Sequence, residues 1–226
     1  MYRALGNTRF ILGYLYGSIF RTRYPMEISV LLVESDKHRL VDNFNSSDPS
    51  ASRHLLPSPP TPSSSTDAPP SLAIPPLLYG TTTSPLPLDN PIHTELLAPL
   101  PKGWHTFQVD VQYVYSGKLP WVSCDSLSFP LASDDGLIDL VIVPPLSRLD
   151  SINAIRGAGT ASFFTSPHCY YYKCSAYRLT PLAKNGFIAV DGESVGHEPF
   201  QVESHKALAR VLSIEGRWMG KAAMKI

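Results

Sequence analysis

The chain has 226 residues, long enough for one large domain or for two small ones joined by a linker. Its 19 basic and 19 acidic side chains cancel to a formal net charge of +0, which argues against nucleic-acid binding through bulk positive charge. No apolar run approaches the ~20 residues of a membrane helix, and Cys124, Cys169 and Cys174 form neither a paired framework nor a zinc signature, which fits a reducing, cytoplasmic setting.

In chain order, residues 5–20 have helical length and are apolar on most faces. Phe10, Tyr14 and Gly17 form one stripe, and Ile11, Leu15 and Ile19 an adjacent one. A signal peptide is the rival reading, but a small-x-small cleavage site is missing and Arg21 and Arg23 follow at once. Met26 to Glu34 reads as a strand. Fourteen of the 22 prolines then fall between Pro49 and Pro101, interleaved with serine and threonine. Such a stretch has few backbone donors and little apolar surface to bury, so it is expected to stay extended and disordered. Formal charge divides as +2 for residues 1–42, −3 for 43–101 and +1 for 102–226, so no region carries a strong field. The expected organisation is an N-terminal helix and strand (1–42) packing on a β-domain (102–226), with 43–101 as a Pro/Ser-rich linker or insertion. A 42-residue piece cannot hold a core alone.

After the linker, Trp104 to Ser116 alternates at Phe107, Val109, Val111, Tyr113 and Tyr115, the pattern of one strand face. Asp134-Asp135-Gly136 reads as a turn into Leu137–Val143, whose continuous apolar run implies a strand covered on both sides. Ser147 to Gly157 is the one later helix candidate, with Ser147 as N-cap and Gly157 as stop. Segments at 168–180, 186–190, 199–204 and 209–213 read as short strands. Many strands and few helices imply a mainly β (α+β) fold, a sandwich or rolled sheet.

Several catalytic signatures are absent. The chain has no Walker-type loop, no Gly-x-Gly-x-x-Gly after a strand and no His-Glu-x-x-His. Gly157-Ala158-Gly159-Thr160 follows a helix candidate and reads as a loop. The odd separation of Cys169 and Cys174 sends the two thiols to opposite faces of a strand. Tyr170-Tyr171-Tyr172 reads as sheet surface and core, with an aromatic lipid or base pocket as the alternative. Asp191-Gly192-Glu193 ends an apolar strand; its carboxylates could bind Mg²⁺ or act on a hydroxyl proton, or simply flank a hairpin turn. Arg3 and Arg9 could meet phosphate oxygens or remain solvated.

Together these stretches resemble the C-terminal half of fungal-type sphingosine kinases, the sphingoid long-chain-base kinases of the diacylglycerol-kinase-like superfamily. The resemblance rests on Tyr2-Arg3-x-Leu5-Gly6-x-x-Arg9-Phe10-x-x-Gly13, Pro25-x-Glu27-Ile28, Gly117-Lys118-x-Pro120-Trp121-Val122-Ser123 and Asp135-Gly136-Leu137-Ile138-Asp139. It continues through Tyr177-Arg178-Leu179, Val190-Asp191-Gly192-Glu193, Pro199-Phe200-Gln201-Val202-Glu203 and His205, in family order. It implies a β-sandwich-like domain that faces an ATP-holding α/β lobe and transfers the γ-phosphate to the primary hydroxyl of a sphingoid base, with ATP and Mg²⁺ as cofactors. By resemblance Arg3 and Arg9 contact nucleotide phosphates, Asp191, Gly192 and Glu193 face the cleft, and Phe10 lies near the lipid tail. Asp135 matches an aspartate that holds a structural Mg²⁺ in some bacterial relatives.

The family's phosphate loop and proposed general base lie N-terminal to anything in this sequence. No catalytic residue is therefore assigned, and the chain is expected to be a truncated lipid-side half, inactive without the missing kinase lobe. Its implied setting is cytoplasmic, peripheral to intracellular membranes. Two alternatives stand beside this: a non-catalytic regulator that binds a kinase partner or membrane surface through 5–20, and part of a diacylglycerol or ceramide kinase.

Overall fold

The computed structural model describes residues 23–46, 95–123 and 126–205. The predicted helix at 5–20, most of the Pro/Ser-rich stretch and the predicted strand at 209–213 lie outside the described residues, as do Arg3, Arg9, Phe10 and Cys124.

The fold is mainly β, as expected, and it is a rolled sheet. Strand β1 (Tyr24–Glu34) pairs antiparallel with β2 (Trp104–Val111) on one side and with β7 (Tyr170–Pro181) on the other. The opposite edge of β7 carries two strands end to end: β6 (Ile138–Val143) against Tyr170–Cys174, and β10 (Phe200–Glu203) against Ala176–Leu179. The far edge of β6 pairs with β3 (Tyr113–Gly117). Because β2 runs directly into β3, the strand path β2-β1-β7-β6-β3 begins and ends on one continuous stretch of chain, which curls the sheet round. Two short ribbons stand outside this path: β4 (Trp121–Ser123) with β5 (Ser126–Leu127), and β8 (Ile188–Val190) with β9 (Glu193–Val195).

Curling needs breaks in the two-residue alternation, and one of them corrects the sequence reading. The stretch from Trp104 to Ser116 is not one strand with one apolar face. Phe107, Val109 and Val111 point into the roll, but after Gln112 it is Val114 that does so, while Tyr113 packs against the outer cluster. Gln112 is the pivot: its N–H donates to Val143 O (2.7 Å), and its Oε1 accepts from Leu146 N–H (3.1 Å). A single extra residue moves every following side chain to the other face. The same device acts in β7, where Leu31 faces Ala176 but Leu32 faces Cys174, leaving Ser175 as the extra residue. Tyr172 and Cys174 face inward before it, Tyr177 and Leu179 after it.

Strand β6 is buried on both faces, as its apolar run implies. Ile138, Leu140 and Ile142 enter the roll, and Val141 and Val143 enter an outer cluster with Leu131, Phe164 and Tyr171. Helix α1 (Lys37–Ser46) covers that cluster with Leu40, Val41 and Phe44. Asp36 caps it by accepting from His38 and Arg39 N–H at 2.9 and 3.3 Å. The sequence did not announce α1, since only three of its ten residues are apolar and buried. Helix α2 (Arg148–Arg156) matches expectation: Ser147 accepts from Asp150 N–H (3.1 Å), and Gly157 ends the helix on Asn153 O (2.9 Å).

Candidate functional site

The Asp191-Gly192-Glu193 stretch forms the tip of the β8–β9 hairpin. Val190 pairs with Glu193, leaving Asp191 and Gly192 as a two-residue loop. Their φ angles are +49° and +86°, the left-handed pair of a type I′ turn, for which Asp-Gly is a favoured sequence. Strand twist thus aims both carboxylates outward. Asp191 and Glu193 are exposed, and neither makes a hydrogen bond or ion pair with the described residues. The Asp191 charge reaches Tyr115, whose phenol is pushed up first by burial and then by that carboxylate. Tyr115 leans on Phe129 (5.3 Å between ring centroids), and Phe129 N–H donates to Pro120 O next to the half-exposed Trp121. The hairpin tip therefore overlooks an aromatic shelf built from β3 and the β4 approach. Gly117 permits the shelf, since a Cβ there would collide with the Phe129 ring.

At its base the hairpin is held by His197, whose Nε2 donates to Ala183 O (3.2 Å) while the ring fills the space that a Cβ on Gly186 would need.

Asp135 belongs to a separate, buried polar cluster. Its Oδ2 accepts from Lys173 Nζ (2.7 Å) and Ser133 Oγ (2.8 Å), and its Oδ1 from Leu137 N–H (2.8 Å). Lys173 Nζ also donates to Asp139 Oδ2 (3.0 Å), and Tyr171 donates its hydroxyl to Asp139 Oδ1. Lys173 and Asp139 are direct cross-strand partners in β7 and β6. Burial raises the Asp139 carboxyl against the pull of Lys173, and it drives the Tyr171 phenol well above its ordinary range. Lys118 extends the cluster by donating to Leu137 O and Ser204 Oγ (both 2.9 Å), and Ser204 Oγ donates to Gly136 O (2.6 Å). These bonds staple the point where β10 ends and β6 begins along β7. A magnesium ion at Asp135 would have to displace an ammonium already seated there. Among the described residues, no group of three or more His, Cys, Asp or Glu side chains is arranged to hold a metal.

The two described cysteines are free, buried thiols. Cys169 lies in the outer cluster and Cys174 in the roll, on opposite faces as their spacing implies. Burial pushes their thiols up to about 11 and about 12. The tyrosine run divides in the same way, with Tyr170 half-exposed, Tyr171 in the outer cluster and Tyr172 against the roll.

Of the predicted site residues, Asp191, Gly192 and Glu193 share one turn, and Asp135 sits apart from them in the buried cluster. Sequence reasoning quoted Lys118 and Asp139 within the stretches that carry the resemblance but gave them no site role, and it passed over Lys173. The usable signal was a charged residue inside a strand that is otherwise apolar or aromatic, since such residues are buried only when paired. Arg178, quoted only as part of the resemblance, likewise received no role; it donates to Glu95 O (2.8 Å), Ala98 O (3.0 Å) and Gln201 Oε1 (2.9 and 3.1 Å). These bonds fasten the returning end of the Pro-rich stretch to β7 and β10.

A mainly β domain that presents an acidic hairpin is the class of structure at hand, and comparison with known proteins narrows it. No family model matches the chain. Over 113 residues it is 37% identical to sphingoid long chain base kinase 4 of Schizosaccharomyces pombe, covering 48% of this chain and 25% of that protein. Over 126 residues it is 32% identical to sphingoid long chain base kinase 5 of Saccharomyces cerevisiae, covering 53% and 18%. Over 119 residues it is 30% identical to human sphingosine kinase 2, covering 51% and 18%. The matched part spans about a fifth to a quarter of these relatives. The chain is thus similar to sphingoid-base kinases over about half its own length.

Proposed function

We propose that the chain is the lipid-side portion of a sphingoid-base kinase, contributing to transfer of the ATP γ-phosphate to the primary hydroxyl of a sphingosine-like base. The observation that carries this reading is the β8–β9 turn. It holds two exposed carboxylates, unengaged among the described residues, at fixed spacing in a chain whose similar proteins are named as kinases of such bases.

The donor set suits a magnesium-bound nucleotide. Mg²⁺ retains several waters and takes one or two carboxylates together with substrate phosphates. Asp191 and Glu193 would hold that ion or accept hydrogen bonds from the nucleotide, and bound ATP would supply the transferable phosphoryl group. Arg3 and Arg9 would steady phosphate oxygens, and Phe10 would lie against the lipid tail. Phosphoryl transfer relies chiefly on positioning and charge stabilisation, which such residues provide. The group that removes the hydroxyl proton is assigned to an ATP-holding lobe and to no residue of this chain, so residues 1–226 alone are inactive in this reading. The lipid substrate implies work at the surface of an intracellular membrane.

Two preparations test the proposal. Purified 1–226 incubated with ATP, Mg²⁺ and sphingosine is expected to yield no phosphorylated base above the blank; robust turnover would refute its inactivity alone. A chimera in which the chain replaces the matched stretch of the S. pombe relative is expected to phosphorylate sphingosine. A folded but inactive chimera would count against the kinase assignment.

A further inference from the structure

Helix α2 buries Ser151 and packs Ala154 against the outer cluster, but no described residue covers its other side. Leu149 is 74% exposed and Ile152 45% exposed, one turn apart on the same face. Arg148 and Arg156 flank them at helical spacing; both are exposed and neither has a hydrogen bond or ion pair with the described residues. The helix has one acidic residue, Asp150, and it is turned away from this use. Its Oδ2 accepts from Ser147 Oγ (2.6 Å) and lies 4.0 Å from His168 Nε2. Two residues beyond His168, Tyr170 is 46% exposed at the start of β7.

We propose that this outward face of α2, Arg148, Leu149, Ile152 and Arg156, is a docking surface for a membrane that carries anionic headgroups. Charge complementarity selects that occupant. Two guanidiniums without a partner among the described residues flank two aliphatic side chains, so the aliphatic groups can enter the headgroup boundary while the cations stay at phosphate level. An apolar protein partner would satisfy Leu149 and Ile152 but leave two cations to be desolvated without a counter-charge. The inference goes beyond the kinase reading and does not depend on it, because docking involves neither nucleotide nor turnover.

The test is flotation of the full 226-residue chain with vesicles of phosphatidylcholine alone or mixed with phosphatidylserine. The chain is expected to bind the mixed vesicles, to release them at high salt, and to ignore phosphatidylcholine alone. The Arg148→Gln/Arg156→Gln variant is expected to lose roughly thirtyfold in partitioning, from about a kilocalorie per cation near an anionic surface. Leu149→Asn/Ile152→Asn is expected to lose on the order of a hundredfold from the missing apolar burial. Both arginines and Leu149 are solvent-facing and Ile152 is 45% exposed, so circular dichroism should match the parent and melting should fall only slightly. Failure of the parent to bind phosphatidylserine vesicles would overturn the proposal, as would parent-like binding by both folded variants. Loss of self-association in the variants with vesicle binding intact would assign the face to a second copy of the chain and would also overturn it.

Discussion

Replacing Lys173 with methionine is the most informative stability perturbation. The Lys173 side chain is 7% exposed and touches two carboxylates, Asp135 at 2.7 Å and Asp139 at 3.0 Å, the latter with no exposed side-chain surface. Methionine keeps the length and apolar stem but removes the ammonium, leaving Asp139 buried with the Tyr171 hydroxyl, a repelling Asp135 and the weaker pull of the Lys118 charge. Breaking a buried pair by removing one partner costs about 3–5 kcal/mol, a large share of the roughly 5–15 kcal/mol that holds a domain together. With a urea dependence of about 2 kcal/mol per molar, the unfolding midpoint should fall by roughly 2 M. Adding Asp139→Asn should recover much of the loss, because an amide oxygen still accepts from Tyr171 without a buried charge. The pH dependence has a definite sign. Burial already raises the Asp139 carboxyl in the folded protein, and loss of the ammonium raises it further. Between the ordinary carboxylate range and this raised value the folded state binds a proton that the unfolded state does not, so the associated stability is present at low pH and lost as pH rises. The deficit of Lys173→Met relative to the parent should therefore be full near about pH 8 and smaller near about pH 5. A midpoint shift below about 0.5 M, or a deficit that grows on acidification, would refute the reasoning.

Other consequences follow from single contacts. Gly117→Ala drives a methyl group into the Phe129 ring and is expected to cost about 1–3 kcal/mol by thermal melting; pairing it with Phe129→Leu should return part of the loss. Arg178→Lys keeps the charge but loses the fork that spans Glu95 O, Ala98 O and Gln201. Amide exchange at the Ala98 N–H, which bonds Glu95 O (3.0 Å), should accelerate while exchange in β6 does not. Cys169 and Cys174, with thiols near 11 and 12, should resist iodoacetamide at about pH 8 until urea unfolds the protein, as read by mass spectrometry of their peptides.

Where local pattern decides the structure, the sequence was readable. The largely apolar run of β6 forecast burial on both faces. Ser147 and Gly157 marked both ends of α2, and the Asp-Gly pair marked the turn that presents Asp191 and Glu193. The sheet's closure was hidden, because it depends on single extra residues at Gln112 and Ser175 that reverse side-chain facing with no change in composition. Alternation through Tyr113 and Tyr115 looked continuous for that reason. Helix α1 was hidden as well, since three apolar residues among seven polar or charged ones give a weak periodic signal. The buried cluster around Lys173 depends on pairing between strands more than thirty residues apart. Its members showed only as charges in unlikely company.

The most direct measurement of the central claim, that the β8–β9 turn serves the nucleotide side of a sphingoid-base kinase, is steady-state kinetics on the S. pombe chimera with and without Asp191→Asn/Glu193→Gln. The account predicts a rise of about tenfold or more in KM for ATP, a lower kcat, and little change in KM for sphingosine. Unchanged ATP kinetics in a folded, active double variant would contradict it.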